Sequence, residues 1–194
     1  MTPLRRVTSV ARAEQLSATE LAQLCEATNA AIAEGGGFGW VEAQSRAGLE
    51  RHFRGSLLVP ERELFLARLD GEVVGSAQLV RPPRNNEAQG FSAQLTHAFI
   101  APYARGFGLA RLLVRRVEER AASMGIRVLN LDVRATQAGA IALFEGLGYT
   151  RWGTHPAYAR VGGQTVAGLF YYRAIEVPGG RSTEAVLGEL GSDQ

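Results

Sequence analysis

The chain has 194 residues, of which 46% are hydrophobic and 21% charged, with 23 Gly, 7 Pro and one Cys. That balance suits a globular domain with a sizeable core and excludes a disordered chain; no apolar run approaches the ~20 residues of a membrane helix, and one cysteine leaves no disulfide framework and no Cys-rich zinc site. All 21 basic residues are arginine, yet the net charge is only +2 and acids are interleaved among them, so the concentrated basic face that nucleic acid requires is not expected.

The opening residues 1–6 are basic with no apolar stretch behind them, unlike a secretory leader, and a reducing, cytoplasmic setting is the expectation. Residues 4–8 read as a first strand. Ser17-Ala-Thr-Glu20 is a capping-box pattern opening a helix with Leu21, Leu24, Cys25 and Thr28 on one side. Cys25 there reads as a small core residue. Three consecutive glycines at 35–37 end that helix, and residues 40–54 read as a second one. Segments 63–69 and 72–80, joined by Asp70-Gly71, form a β-hairpin. A loop follows at 81–87 and a strand at 91–100. Residues 109–124 carry the plainest helical spacing, through Leu109, Leu112, Leu113, Val117, Ala121 and Met124, with Arg111, Arg115, Glu118 and Glu119 mostly outward. A strand at 127–133, a helix at 138–147 and strands at 149–152 and 164–176 complete the order. Residues 1–177 are expected to form one domain and 178–194 a loose tail. Strand–helix–strand crossovers imply parallel pairing and the hairpin antiparallel pairing, so the fold class is α/β, with a mixed sheet flanked by helices.

The chemistry concentrates between the 91–100 strand and the best helix, in Arg105-Gly-Phe-Gly108-Leu-Ala110. Backbone N–H groups there meet a helix N-terminus, where unpaired donors and the dipole favour a phosphate or diphosphate. Gly106 and Gly108 allow close approach, and Ala110 keeps the first turn thin. A P-loop needs a lysine, which the chain lacks, and Arg111 stands where a dinucleotide fingerprint wants its third glycine. The pattern Arg-x-x-Gly-x-Gly/Ala resembles the acyl-CoA loop of the GNAT superfamily of N-acetyltransferases. The likeness continues through Leu131-Asp-Val133 and Ala140-Ile-Ala-Leu143-Phe144-Glu-Gly-Leu-Gly148-Tyr149. Short segments, among them Gly36-Gly-Phe-Gly39, Ser76-Ala-Gln-Leu79 and Tyr149-Thr-Arg151, are also similar to the tabtoxin-resistance branch of that superfamily.

The resemblance implies a splayed sheet, acetyl-CoA as co-substrate and direct acetyl transfer to a small amine: an antibiotic, a toxin or an amino-acid-like molecule. It implies cofactor binding by Phe99, Ile100, Ala101, Arg105, Gly106, Phe107, Gly108, Leu109, Ala110, Gln137 and Phe144. Gln94 holds the place of the family's glutamate base and cannot take a proton, while Phe144 holds the place of the tyrosine acid. Asp132 is the catalytic or acceptor-binding candidate, the bland readings being a cap on the next helix or a pair with Arg134. His97 is a second candidate, although alternation with Leu95 and Phe99 reads as a packed histidine. Tyr149, Tyr103 and Tyr158 are substitute acids or simply packing. Phe38, Trp40, Arg84 and His155 are candidates for the acceptor groove, expected between the first helices, the 82–89 loop and a 153–160 loop. Phe38 and Trp40 read equally as a staple for the second helix, and Arg84 as a solvated loop residue. Three dispersed histidines, His52 among them, give no metal site. No membrane partner is expected, and a homodimer is a family-level expectation. A non-catalytic acyl-CoA-binding domain and a protein N-terminal or side-chain acetyltransferase stand as alternatives.

Overall fold

The computed structural model of the chain describes residues 6–36 and 39–177. Phe38 and the expected tail at 178–194 lie outside the described residues. The elements run β1 (Thr8–Ala13), α1 (Ala18–Ala33), α2 (Arg46–Leu57), β2 (Arg62–Leu69), β3 (Glu72–Val80), β4 (Ser92–Ile100), α3 (Leu109–Ser123), β5 (Val128–Arg134), α4 (Ala138–Glu145), β6 (Thr150–Val161) and β7 (Gln164–Ala174). Single 3-10 turns sit at Glu87–Gln89 and Pro102–Ala104.

The expected order of elements holds, and the largest departures are at β1, at the start of α2 and in β6. β1 runs from Thr8 to Ala13, where residues 4–8 were expected, its extent set by pairing along β2, from Thr8 opposite Leu69 to Ala13 opposite Leu64; residues 4 and 5 lie outside the described residues. α2 starts at Arg46 rather than residue 40. The main chain of Gln44 is bonded at both N–H and C=O by the Asn29 side chain (2.8 and 2.9 Å), and Ser45 caps the helix through Gly48 N–H. The expected 153–160 loop is strand. Gly153 and Pro156 produce irregularities in β6, between Arg151 and Gly153 and between His155 and Ala159, without ending it. The strand turns back at Gly162-Gly163, both with positive φ.

The seven strands form one sheet in the order β1-β2-β3-β4-β5-β7-β6. All neighbours are antiparallel except β4 and β5, whose parallel ladder has three rungs, Ser92–Val128 to Gln94–Asn130. Beyond Gln94 the two strands part. α3 and α4 cover one face through Leu109, Leu113, Val117 and Phe144. On the other face α1 and α2 pack Leu21, Leu24, Leu49 and Phe53 against Leu64, Leu66 and Val73. Cys25 joins that second core, as expected. Glu118, expected outward, is buried instead, because Arg173 meets its carboxylate at 2.8 Å. No helix among the described residues is long and apolar enough to cross a membrane.

Candidate functional site

The gap between β4 and β5 opens onto the N-terminus of α3, and the chain supplies donors there. Gly108 is the N-cap of α3 with φ +76° and brings no capping side chain; Gly106 has φ +87°. Among the described residues, none of the N–H groups of residues 106–111 meets a main-chain acceptor. A Cβ built at either glycine meets nothing within 4 Å, so the space over this turn is open. A cleft of about 250 Å³ lies against it, lined by Ile100, Arg105, Gly106, Gly108, Ala110 and Leu143, among others. Donors without acceptors, a helix dipole and an open cleft fit a diphosphate.

The β4 edge supplies the next contacts. Ala101 N–H is already engaged with Val74 C=O at 2.8 Å, within the β3–β4 pairing. Ile100, one residue back, therefore turns its own N–H and C=O toward the gap. Arg105 is held from both ends of the site, its Nε at 3.4 Å from Ile100 C=O and its Nη1 at 2.7 Å from Glu34. Gln137 and the buried Arg134 both donate to Gly35 C=O, so the end of α1 is strapped across the ends of β5 and the start of α4. Leu109 lines the cleft while also packing into the core, and the Phe144 side chain faces the core alone. Leu143, beside Phe144, lines the cleft instead; the sequence had flagged only its neighbour.

The proton-handling candidates separate on geometry. Gln94 is exposed at the last rung before the strands part, opposite Val80 and Asn130. His97 does not alternate as the sequence predicts. It has φ +52°, and with Ala98 it opposes Ala77 in a β-bulge, Thr96 pairing with Gln78 and Phe99 with Ser76. The bulge swings the imidazole toward α2, with the His52 ring 5.5 Å away and Trp40 edge-on to His52 at 4.9 Å. Burial first, then His52 and Arg62, push the His97 pKa down to about 4, so it is neutral at physiological pH and a weak base. Tyr149 is buried in the core between Phe144 and Arg173, its phenol pushed far above the usual range by burial and by Glu118. Its expected catalytic role is not supported by that placement.

Asp132 alternates as expected, exposed between the buried Leu131 and Val133, on the same face as α1 and α2. Neither bland reading of Asp132 holds, since its bonded partner is the Tyr158 hydroxyl, which donates to it. Burial and that hydrogen bond push the Tyr158 pKa up to about 12. His155 lies exposed on β6 and accepts from Ala157 N–H at 3.1 Å. Arg84 is exposed in the segment joining β3 to β4, at the end of β4 away from Ile100, and is not brought to the cleft. Among the described residues no group of three or more metal-ligating side chains gathers.

Residues 19–149 match the Acetyltransferase (GNAT) family. The chain belongs to the GNAT acetyltransferases. It is 55% identical over 129 residues to an uncharacterized N-acetyltransferase encoded in the hisH-hisA intergenic region of Azospirillum brasilense, covering 66% of this chain and 77% of that one. Its fold is similar to an N-acetyltransferase from Staphylococcus aureus Mu50 (TM-score 0.74, 18% identity, 88% of this chain and 99% of that one). It is also similar to yncA, a putative acetyltransferase from Salmonella typhimurium solved with its cofactor acetyl-CoA (TM-score 0.71, 17% identity, 87% and 94%). This GNAT protein is thus an acyltransferase whose co-substrate is acetyl-CoA, and the donor-rich turn before α3 fits the diphosphate of that molecule.

Proposed function

We propose that the protein transfers acetyl from acetyl-CoA directly to the nitrogen of a small amine. The observation that carries this is the parting of β4 and β5 after three rungs, with unpaired amides on one side of the gap and the Asp132 carboxylate on the other. Acetyl-CoA supplies the activated thioester. Residues 105–110 hold the diphosphate through main-chain N–H groups. Ile100 pairs with the extended arm as a strand edge pairs with a peptide, and its N–H polarises the thioester carbonyl.

The amine has to lose a proton before it attacks. An alkylamine has a pKa near ~10.4, so about one molecule in a thousand is neutral at pH 7. Gln94 cannot accept that proton, and His97 is too weak a base to help. Asp132 draws the ammonium to the gap and accepts its proton as the amine attacks the thioester, passing the proton on to solvent. With Phe144 and Tyr149 in the core, neither position supplies a tyrosine acid to the leaving thiolate. A thiol pKa near ~8.5 makes that loss small. The likeness of short segments to tabtoxin-resistance enzymes supports an amino-acid-like or toxin-like acceptor.

The test is thiol release from acetyl-CoA against a panel of small amines, with the mass of the product as confirmation. Some member of the panel is expected to stimulate release. Gly108→Val fills the open cradle and strains a positive-φ position, and should weaken acetyl-CoA binding by about ten-fold or more. Tight donor binding with no stimulation by any amine would overturn the proposal.

A further inference from the structure

The same sheet face that presents Asp132 carries a row of aromatic rings that no helix among the described residues covers. Phe170 pairs with Asp132 across β5 and β7, and with Gly153 across β7 and β6. The alternate residues Leu169 and Tyr171 are buried in the α3 side, so Phe170 shares the Asp132 face. Trp152 and Tyr158 flank it, at 5.7 Å and 5.8 Å between ring centroids, the second edge to face. α1 and α2 pack on β2, β3 and β4, leaving Trp152 64% and Tyr158 37% exposed.

The row is built at some cost to the sheet. Trp152 sits in the first irregularity of β6, and Tyr158 in the second, where three residues stand opposite Ala167. Bulges of this kind re-aim side chains beside functional sites. Tyr158 also needs Gly168. A Cβ there would lie 2.2 Å from the Tyr158 Cγ and 2.5 Å from its Cδ2, so the ring rests on bare main chain and its hydroxyl reaches Asp132. Gly168 has no positive φ to explain it; space for the ring is its reason.

The ion pairs among the described residues do not include Asp132. A carboxylate at the end of three aromatic faces is complementary to a cation, because ring quadrupoles and the carboxylate attract it together. A second copy of the chain laid on the rings would instead bury that carboxylate with only the Tyr158 hydroxyl and no cation to offset its charge, which is costly. Resting on the acetyl-transfer reading above, we infer that the acceptor is an amine carrying an aromatic or flat apolar ring, its ammonium at Asp132 and its ring along Trp152 and Phe170. Gly168 is then a positioning residue that acts through Tyr158.

Thiol-release kinetics with 2-phenylethylamine, tryptamine and n-hexylamine test this. The aryl amines should show a KM about ten-fold below that of hexylamine. Trp152→Ala, at an exposed site, should raise the aryl KM by about ten-fold and leave the KM for acetyl-CoA unchanged. Gly168→Ala should do the same by evicting Tyr158, and Tyr158→Phe, which keeps the ring, should do less. Equal KM for all three amines and no effect of Trp152→Ala would overturn the inference while leaving amine acetylation standing. Conversion of a dimer to a monomer by Trp152→Ala with unchanged KM would assign the row to a second copy and overturn it too. Failure of every amine class to stimulate release would sink the acetyl-transfer reading itself.

Discussion

At Gly75 one absent methyl group sets how closely β3 approaches β4 where the strands part. A Cβ there would lie 2.3 Å from Phe99 C=O and 2.7 Å from Ile100 Cδ1. The carbonyl is main chain and cannot swing aside. Gly75→Ala is therefore expected to push the Phe99–Ile100 edge toward the gap, costing about 1–3 kcal/mol of stability. It should also weaken acetyl-CoA binding by about ten-fold. Calorimetric titration with a parallel thermal melt checks both, and intact binding would show that this edge does not hold the donor. Gly106 and Gly108 were legible in the sequence because their reason is local, a turn feeding a helix. Gly75 and Gly168 were not, since the atoms that exclude a side chain come from Phe99 and Tyr158, elsewhere in the chain. The side to which His97 turns was not legible for the same reason: the bulge that sets it belongs to the pairing of two strands.

Among the elements, α1 shows how far local chemistry reaches. Ser17 and Glu20 close the capping box the sequence announces, with Ser17 N–H donating to Glu20 at 3.0 Å and Glu20 N–H to Ser17 Oγ at 3.2 Å. Arg68 of β2 adds an ion pair. The bond from Ser17 N–H, then Arg68, brings the Glu20 pKa from 4.5 to about 2. A depressed carboxylate stabilises the fold above its unfolded pKa and loses that contribution as pH falls through its folded one. Glu20→Gln should thus lower stability by about 1 kcal/mol at pH 7. The gap to the parent should close between pH 4.5 and about 2, as read by melts across that range. The other end of α1 was also legible, Gly35 N–H and Gly36 N–H closing on Ile32 and Ala31 C=O. β6 was not legible beyond Trp152. Gly153 and Pro156 are loop signals locally, yet β7 supplies a partner that carries the strand through them.

For the molecule as a whole, the order of elements and the mixed sheet followed from hydrophobic period and crossover rules. The place where the sheet parts did not, because three rungs or six would leave the same sequence pattern. Donor binding should be visible globally. Acetyl-CoA at a hundred times its Kd contributes ~2.7 kcal/mol by mass action, or about 5–10 °C in Tm for a chain of this size. A thermal melt at millimolar acetyl-CoA with no upward shift would contradict the cleft assignment.

Past the Gln94–Asn130 rung, no strand ladder among the described residues joins the four-stranded flap to the three-stranded one; side-chain packing and a few side-chain hydrogen bonds do. Packing resists separation but yields to small rotations. A strand-like arm lodged in that opening is a keystone, locking both flaps into one continuous surface, and its departure after each turnover gives the flexure back.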